Sequence, residues 1–106
     1  MLKFVVVQYK RPDMTFEQFR DYLLHVHGPL ARKIPGLRHC IYNIVMDDAT
    51  RQPSGWHGIA ELYFEDFQSM QIAWATPEGQ AATNDNAQYA DLTKTSWSIV
   101  EEITIL

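Results

Sequence analysis

The chain has 106 residues, 46% of them hydrophobic, which predicts one folded domain over residues 1–106. Its formal net charge of −4 comes from interspersed acids and bases without a basic stripe, which argues against nucleic acid as a partner. No signal peptide or membrane span is recognisable, and the single cysteine, Cys40, excludes an internal disulfide, so we expect a cytoplasmic protein without a membrane partner. Cys40 lies in an apolar run and is expected to be an inert core thiol.

The first half of the chain predicts a strand, a helix and a second strand. Residues 2–9 are apolar at both alternating positions, which is typical of a central strand covered on both faces. A helix should begin after Thr15, which forms a capping box with Gln18, and should end near residue 33, before Pro35 and Gly36. Residues 37–46 then alternate as a strand.

The second half predicts a third strand over Gly58–Phe64 and a second helix from the spacing of Phe67, Met70 and Trp74. Thr76 and Pro77 form the start of a shorter helix that runs toward Tyr89, and residues 96–106 alternate as a closing strand. The order β-α-β-β-α-β predicts an α+β, ferredoxin-like fold: a four-stranded antiparallel sheet with the helices on one face.

The other sheet face is left without helices in this arrangement. Its residues cannot all be polar, because residues 2–7 are apolar on both sides of their strand. A large exposed apolar face predicts a partner, and the simplest partner is a second copy packed sheet to sheet about a two-fold axis. The sequence therefore predicts a homodimer.

His27 is the first candidate site residue. At 100° per residue it lies about 60° from the centre of the apolar stripe of the first helix, whereas His25 lies about 140° away, so His27 points inward. Pro29 removes a helical hydrogen bond and clashes with the His25 carbonyl, which predicts a kink or a wider turn here. The stripe consists of Phe16, Phe19, Leu23, Val26 and Leu30. His27 is either part of a site or a core histidine that bonds a freed carbonyl.

Glu61 is the second candidate, because a carboxylate inside an apolar strand needs a partner. A pair of Glu61 and His27 would suit general acid-base catalysis; the alternative is a structural hydrogen bond. His25 and His27 diverge by about 200° on a helix, so no metal site is expected, and no cofactor motif is present. Candidate ligand-binding residues are Tyr9, Tyr22, Tyr42, Trp56, His57, Tyr63 and Trp97, although such aromatic side chains also fill cores and interfaces.

Several short motifs keep a common order and spacing along the chain. They are Lys10-Arg11-Pro12, His27-Gly28-Pro29-Leu30, Pro35-Gly36-Leu37, Ala60-Glu61-Leu62-Tyr63-Phe64 and Pro77-Glu78-Gly79-Gln80-Ala81. With these motifs the sequence resembles the EthD family of the dimeric α+β-barrel superfamily. The resemblance implies a homodimer with a pocket between sheet and helices in each subunit. The sequence departs from the family at His57, where an aspartate commonly precedes the glycine of the third strand.

Relatives implied by this resemblance include accessory proteins of ether degradation, muconolactone-type isomerases and enzymes that tailor aromatic polyketides. In the methylmuconolactone isomerase branch, a histidine at the place of His27 acts on the lactone. The leading hypothesis is a cofactor-independent enzyme of the isomerase, lyase or monooxygenase type that acts on a small cyclic or aromatic carbonyl compound, with tyrosine hydroxyls stabilising the oxyanion. The alternatives are a non-catalytic accessory or ligand-binding dimer of a degradation pathway, and a haem- or metal-binding barrel.

Overall fold

The computed structural model describes all residues from 1 to 106. Four strands, four α-helices, one π-helical turn and one 3-10 turn succeed one another along the chain. They are β1 (Leu2–Gln8), α1 (Phe16–Tyr22), the π-helical turn (Leu23–His27), α2 (Gly28–Ala31), β2 (His39–Ile44), β3 (Gly58–Phe64), α3 (Phe67–Ala75), α4 (Pro77–Asp85), the 3-10 turn (Asn86–Gln88) and β4 (Ser96–Val100).

The sheet has the strand order β2-β3-β1-β4, and its neighbouring strands are antiparallel. β1 is central, as its apolar pattern predicts, and β2 and β4 form the edges. This order confirms the ferredoxin-like fold, in which each helical connection crosses over the same face of the sheet. No helix is both long enough and apolar enough to span a membrane.

The strand register decides which side chains face the helices. Val6 lies opposite Ala60 on β3 and opposite Trp97 on β4, and Tyr42 of β2 also lies opposite Ala60. Because side chains alternate along a strand, every second residue shares this face. The helix-facing set includes Phe4, Val6, Gln8, Tyr42, Ala60, Leu62, Phe64, Trp97 and Ile99, and the open face carries Lys3, Val5, Val7, Ile41, Ile59, Glu61, Tyr63 and Val100.

Two hydrophobic clusters fill the space between sheet and helices. The larger cluster joins the sheet to α2, α3 and α4 through buried residues such as Phe64 and Met70. The smaller cluster consists of Phe19, Leu23, Tyr89 and Ala90, of which the first three are fully buried. Tyr42 packs against both clusters. It therefore lies where α1, the π-helical turn and the sheet meet.

Helix starts coincide with the predicted capping residues. The Thr15 side chain accepts a hydrogen bond from the Gln18 N–H, and the Gln18 side chain accepts one from the Thr15 N–H, which completes a capping box. The Thr76 hydroxyl accepts from the Gly79 N–H, and Pro77 takes the first helical position of α4. These local signals fix where α1 and α4 begin.

The predicted irregularity near Pro29 is a π-helical turn. The Gly28 N–H donates to the Leu23 carbonyl, five residues earlier, instead of to the residue four earlier. Pro29 has no N–H to donate, so the α-helical pattern cannot continue through this position. The helix therefore widens just where His27 enters the interior.

The wider turn corrects the predicted buried stripe. Phe19 and Leu23 are fully buried as expected, but Phe16 and Val26 are 36% and 45% exposed. One additional residue in a turn rotates the later part of the helix by about 100°. The rotation turns Val26 outward and places His27, four residues after Leu23, on the buried side.

Two further expectations are wrong. The sequence predicts a closing strand over residues 96–106, but β4 ends at Val100, where its partner β1 has only Leu2 left to pair with. The apolar tail side chains of Ile103 and Ile105 are exposed. Cys40 is exposed on the edge strand β2 and is not a core thiol, because no further strand covers that edge.

Candidate functional site

A cavity of about 370 Å³ lies between the helix-facing side of the sheet and the helices. Its base is formed by strands β1, β2 and β3, and its sides by the π-helical turn, α2, α3, α4 and the 3-10 turn. It reaches Trp97 on the edge strand β4, which is 42% exposed. The lining residues include Phe4, Val6, Gln8, His27, Tyr42, Leu62, Trp74, Gln80, Thr83, Asn84, Asn86, Tyr89 and Trp97. This is the position that the family resemblance implies for a pocket.

His27 is the polar centre of the cavity wall, and Asp85 pairs with it from behind that wall. His27 Nδ1 lies 3.0 Å from Asp85 Oδ2, and the two side chains are only 10% and 14% exposed. His27 ends the π-helical turn, whereas Asp85 is the last residue of α4. A carboxylate can only accept, so Nδ1 carries the proton and the other ring nitrogen, Nε2, makes no bond to the protein. Nε2 thus remains available to a ligand.

Tyr22 and Tyr89 hold this pair in place. The Tyr22 hydroxyl donates to Asp85 Oδ1 at 2.7 Å, so both carboxylate oxygens are engaged. The Tyr89 ring packs against the His27 ring with centroids 4.8 Å apart and against the Tyr22 ring at 5.6 Å. Tyr89 is itself fixed, because its hydroxyl accepts from Gln8 Nε2 at 3.2 Å. The imidazole therefore has one orientation and one tautomer.

Burial and Asp85 act on the pKa of His27 in opposite directions. Burial disfavours the imidazolium and is the larger effect, so the pKa of His27 is lowered, although Asp85 acts to raise it. The imidazole is consequently neutral at pH 7, with a free lone pair on Nε2. Burial together with Asp85 raises the pKa of Tyr22 to about 12. Tyr22 therefore stays protonated at neutral pH and donates a hydrogen bond to the carboxylate.

Tyr42 lines the cavity, and its hydroxyl is buried just behind the wall. That hydroxyl has no oxygen or nitrogen partner within the protein and lies near the weakly bonding Cys40 thiol, and burial raises the pKa of Tyr42 far above its ordinary value. The Tyr42 ring lies next to the residue that comes after His27, since a Cβ placed on Gly28 would come within 3.7 Å of Tyr42 Cε2. A buried hydroxyl without a partner costs stability of about 1–3 kcal/mol, which a bound polar group would offset. Gln8 Oε1 also lacks a partner, but it lies against Gly58.

The predicted pair of His27 and Glu61 is wrong. Glu61 points to the open face of the sheet, where it forms an ion pair with Lys3 and accepts from Asn43 Nδ2 at 2.8 Å. Lys3 and Asn43 lower the pKa of Glu61 and keep it ionised. Alternation along β3 places Glu61 opposite to its neighbour Leu62, which lines the cavity. The carboxylate partner of His27 is Asp85.

The other predicted ligand-binding residues divide among four places. Tyr42 and Trp97 line the cavity, and Tyr22 lies behind Asp85. Tyr63 is on the open face, where its hydroxyl donates to Glu102 at 2.9 Å. The remaining three, Tyr9, Trp56 and His57, lie at the far end of the sheet near the 47–57 loop.

His57 has a structural role at that end. Its Nδ1 accepts from the backbone N–H of Lys10 at 3.0 Å, and its ring packs against Phe16 and Phe19 at about 6 Å. Burial, then Lys10 and Lys94, lower the pKa of His57, which favours the neutral ring that this acceptor role requires.

Asp85, Tyr89, Phe4 and Trp74 are site residues that the sequence analysis missed. Asp85 is the last residue of α4 and is 58 positions from His27, so only tertiary packing brings them together. The helix that runs toward Tyr89 is predicted, but the spacing carries no signal that its end meets the π-helical turn. The structure contains no group of three or more histidine, cysteine, aspartate and glutamate side chains arranged to bind a metal ion.

Comparison with known proteins places this architecture in a family. The EthD domain profile matches residues 11–93, which is most of the chain. The chain belongs to the EthD family. An uncharacterized 11.0 kDa protein of the thcB-thcC intergenic region of Rhodococcus erythropolis is 32% identical to this EthD chain over 72 residues, covering 68% of this chain and 69% of the relative.

Solved structures agree with this assignment. An EthD family protein from Bacillus halodurans C-125 superimposes with a TM-score of 0.81 at 29% identity, covering 97% of this chain and all of the other. Two more distant structures share the fold alone. A dimeric ferredoxin-like protein from Bacteroides fragilis has a TM-score of 0.69 at 17% identity, with 95% of each chain covered. A hydroxynitrile lyase from Passiflora edulis has a TM-score of 0.73 at 12% identity, with 97% of this chain and 95% of that chain covered.

Proposed function

We propose that this EthD protein is an enzyme that needs no cofactor and moves a proton on a small cyclic or aromatic carbonyl compound. The observation that carries the proposal is the His27–Asp85 pair, in which Nδ1 is bonded to the carboxylate and Nε2 is unbonded at the wall of an aromatic cavity. A neutral imidazole with a free Nε2 is a general base. The hydroxynitrile lyase from Passiflora edulis is an example of an enzyme with this fold.

The chemical step begins when Nε2 of His27 removes a proton from a carbon next to the carbonyl. The electron pair of the broken C–H bond forms a C=C bond, and the carbonyl oxygen becomes an enolate oxygen. Asp85 stabilises the imidazolium that results, 3.0 Å from Nδ1. The imidazolium then returns the proton to the same or another carbon. The sequence of steps needs no cofactor, because the proton passes from carbon to Nε2 and back to carbon.

Tyr42 is suited to stabilise the enolate oxygen. Its ring lines the cavity beside the turn that carries His27, and its hydroxyl, just behind the wall, has no oxygen or nitrogen partner in the protein. Because burial raises the pKa of Tyr42, the hydroxyl stays protonated and acts as a hydrogen-bond donor, not as a proton source. A donor fixed before the reaction needs no reorganisation when negative charge develops on the ligand oxygen.

We also propose that the protein works as a homodimer whose sheets pack open face to open face. The open face carries Val5, Val7 and Ile59, and Ile41 and Val100 are 45% and 38% exposed. The Lys3–Glu61 ion pair lies among these apolar side chains. Such a face is costly to leave in water, and a dimeric ferredoxin-like protein is among the solved structures with this fold.

A non-catalytic ligand-binding dimer is the second candidate. It is favoured by the composition of the cavity, in which His27 is the only ionisable side chain apart from Tyr42 and Tyr89, whose pKa values are strongly raised. A ligand carrier needs the aromatic walls but not the basic Nε2. The two candidates therefore differ in whether a bound ketone exchanges its protons.

The test is proton exchange on 2-tetralone, an uncharged two-ring ketone, monitored by NMR in D₂O. The enzyme should accelerate replacement of the C1 protons by deuterium, and His27→Gln should abolish the acceleration. His25→Gln is the matched control, because His25 is an exposed histidine on the same helical segment and should leave the rate unchanged. Binding of 2-tetralone without faster exchange would support the ligand carrier. Exchange that survives in His27→Gln would refute the assigned base.

A further inference from the structure

The composition of the cavity wall points to the charge of the ligand. All lining groups are aromatic, aliphatic, amide or hydroxyl side chains, apart from the neutral imidazole of His27. The lining contains no lysine, arginine, aspartate or glutamate. Removing a carboxylate or phosphate from water without a cationic partner is strongly unfavourable. An anionic ligand would also approach Asp85, which lies directly behind His27.

A cationic ligand has no better partner. Asp85 is the nearest negative group, but both of its oxygens are engaged, one by His27 Nδ1 and the other by the Tyr22 hydroxyl. Asp85 is not part of the cavity lining, so a ligand does not reach it past the imidazole. The cavity wall therefore favours a ligand without a net charge.

Aromatic side chains define the shape of the accessible space. Phe4 lies between Trp74, with ring centroids 5.6 Å apart, and Trp97, at 6.4 Å and an interplanar angle of 30°. Flat rings of a ligand stack favourably on such side chains. An apolar cavity of about 150 Å³ is enough to hold benzene, so 370 Å³ accommodates two fused rings with a substituent.

Polar wall groups define where the substituent goes. His27 Nε2 accepts from a ligand hydroxyl, whereas the Tyr42 hydroxyl can donate to a ligand carbonyl or hydroxyl oxygen. The amide side chains of Gln80, Asn84 and Asn86 and the Thr83 hydroxyl form the neutral polar side of the lining. They suit ligand hydroxyl or carbonyl groups and provide no charge for an acid.

We propose that the cavity selects an uncharged, planar ligand of about two fused rings, with one carbonyl or hydroxyl oxygen held by Tyr42, and rejects carboxylates of the same skeleton. This inference rests on the same site as the proposed function but concerns binding alone. It separates the protein from enzymes whose small cyclic substrates carry a carboxylate. Tyr42 becomes the residue that selects for oxygen on the ligand.

The experiment compares three probes with one skeleton by isothermal titration calorimetry at pH 7.5: 2-naphthol, 2-naphthoate and 2-naphthylmethylammonium. We expect 2-naphthol to bind at least tenfold more tightly than either charged probe. Equal or tighter binding of 2-naphthoate or of the ammonium probe, or no binding of 2-naphthol, would overturn the proposal. Quenching of tryptophan fluorescence in a Trp56→Phe background reports whether the probe lies beside Trp74 and Trp97, because these two tryptophans line the cavity and Trp56 does not.

Tyr42→Phe supplies the second arm. It should weaken the binding of 2-naphthol about fivefold, the usual effect of losing one neutral hydrogen bond, and leave the binding of naphthalene unchanged. An equal loss for both ligands would show that Tyr42 only shapes the cavity, and would overturn its assigned role. The outcome is independent of catalysis: if the probe preference holds but 2-tetralone exchange fails, the ligand class stands and the proposed reaction does not. If exchange depends on His27 but 2-naphthoate binds as tightly as 2-naphthol, the proposed reaction stands and the ligand class does not.

Discussion

Replacing Asp85 by asparagine keeps the shape of the side chain and removes its charge. In the native structure Asp85 Oδ2 lies 3.0 Å from His27 Nδ1, and both side chains are shielded from water. At this distance and an effective dielectric constant of about 20, a carboxylate and an imidazolium attract by about 5 kcal/mol. The attraction exists only while His27 holds the transferred proton, so it lowers the barrier to proton removal from the ligand.

The expected loss of rate can be worked from this value. Asparagine still accepts from Nδ1–H through its carbonyl oxygen, so part of the orienting effect remains. At 1.36 kcal/mol for each tenfold change in rate, loss of most of the attraction slows 2-tetralone exchange by about 10²–10⁴-fold. The pKa of His27 should also fall further, because the group that acts to raise it is gone while burial is unchanged.

Two measurements on Asp85→Asn check these statements: the exchange rate in D₂O and the titration of the His27 ring by NMR. Glu61→Gln is the control, because it neutralises a carboxylate on the opposite face of the sheet and should change neither result. An unchanged exchange rate in Asp85→Asn, or a His27 pKa that rises, would refute the reasoning. A shift of the His27 titration in Glu61→Gln would show that the two faces of the sheet communicate.

Three further predictions concern the turn, the histidines and the dimer. Pro29→Ala restores a backbone N–H, so the π-helical turn should convert to regular α-helix and the stability of the protein should stay the same or rise. Exchange of the 2-tetralone protons should slow at least tenfold, because His27 would then point in a different direction. An unchanged rate would show that the wider turn does not position His27. Both His27 and His57 have lowered pKa values, so below the ordinary value of 6.5 the unfolded chain binds more protons than the folded protein. The urea concentration at the unfolding midpoint should therefore fall when the pH is lowered from 7.5 to 5.5, and His57→Asn should reduce this pH dependence. A midpoint that rises on acidification would contradict the lowered pKa values. Val5→Asp on the open face should abolish the dimer or the fold, whereas Gln71→Asp on exposed α3 should not; a folded native monomer by light scattering at micromolar concentration would contradict the open-face interface.

Local sequence signals account for most of the fold. The capping residues Thr15 and Thr76 place the starts of α1 and α4, and the bounds of β3 are confirmed at Gly58–Phe64. The inward direction of His27 and the irregular turn before Pro29 are confirmed as well. The error in the closing strand arises because alternation shows only that residues 96–106 can form a strand. Whether they do depends on a partner strand. β1 starts at Leu2, and its Lys3 already pairs with Val100, so residues beyond 101 have no partner.

The candidate site is less accessible to sequence reasoning. Alternation along β3 shows that Glu61 and Leu62 face opposite ways, but it does not say which of the two faces meets the helices. Pairing Glu61 with His27 chose the wrong face. Asp85 lies at a helix end, where acidic side chains are common for other reasons, so its contact with His27 exists only in the packed structure. A single buried histidine identifies a candidate site, and tertiary packing identifies its partner.

The protonation state of His27 is central to the proposed reaction, and the most direct test is the rate of 2-tetralone exchange against pH, measured at saturating ketone and compared with the NMR titration of His27 in the same complex. We predict a rate that rises as the imidazole loses its proton, with an inflection at the pKa of His27, below the ordinary histidine value of 6.5. An exchange rate without an inflection at that pKa, or one that falls as His27 becomes neutral, would contradict its role as the base.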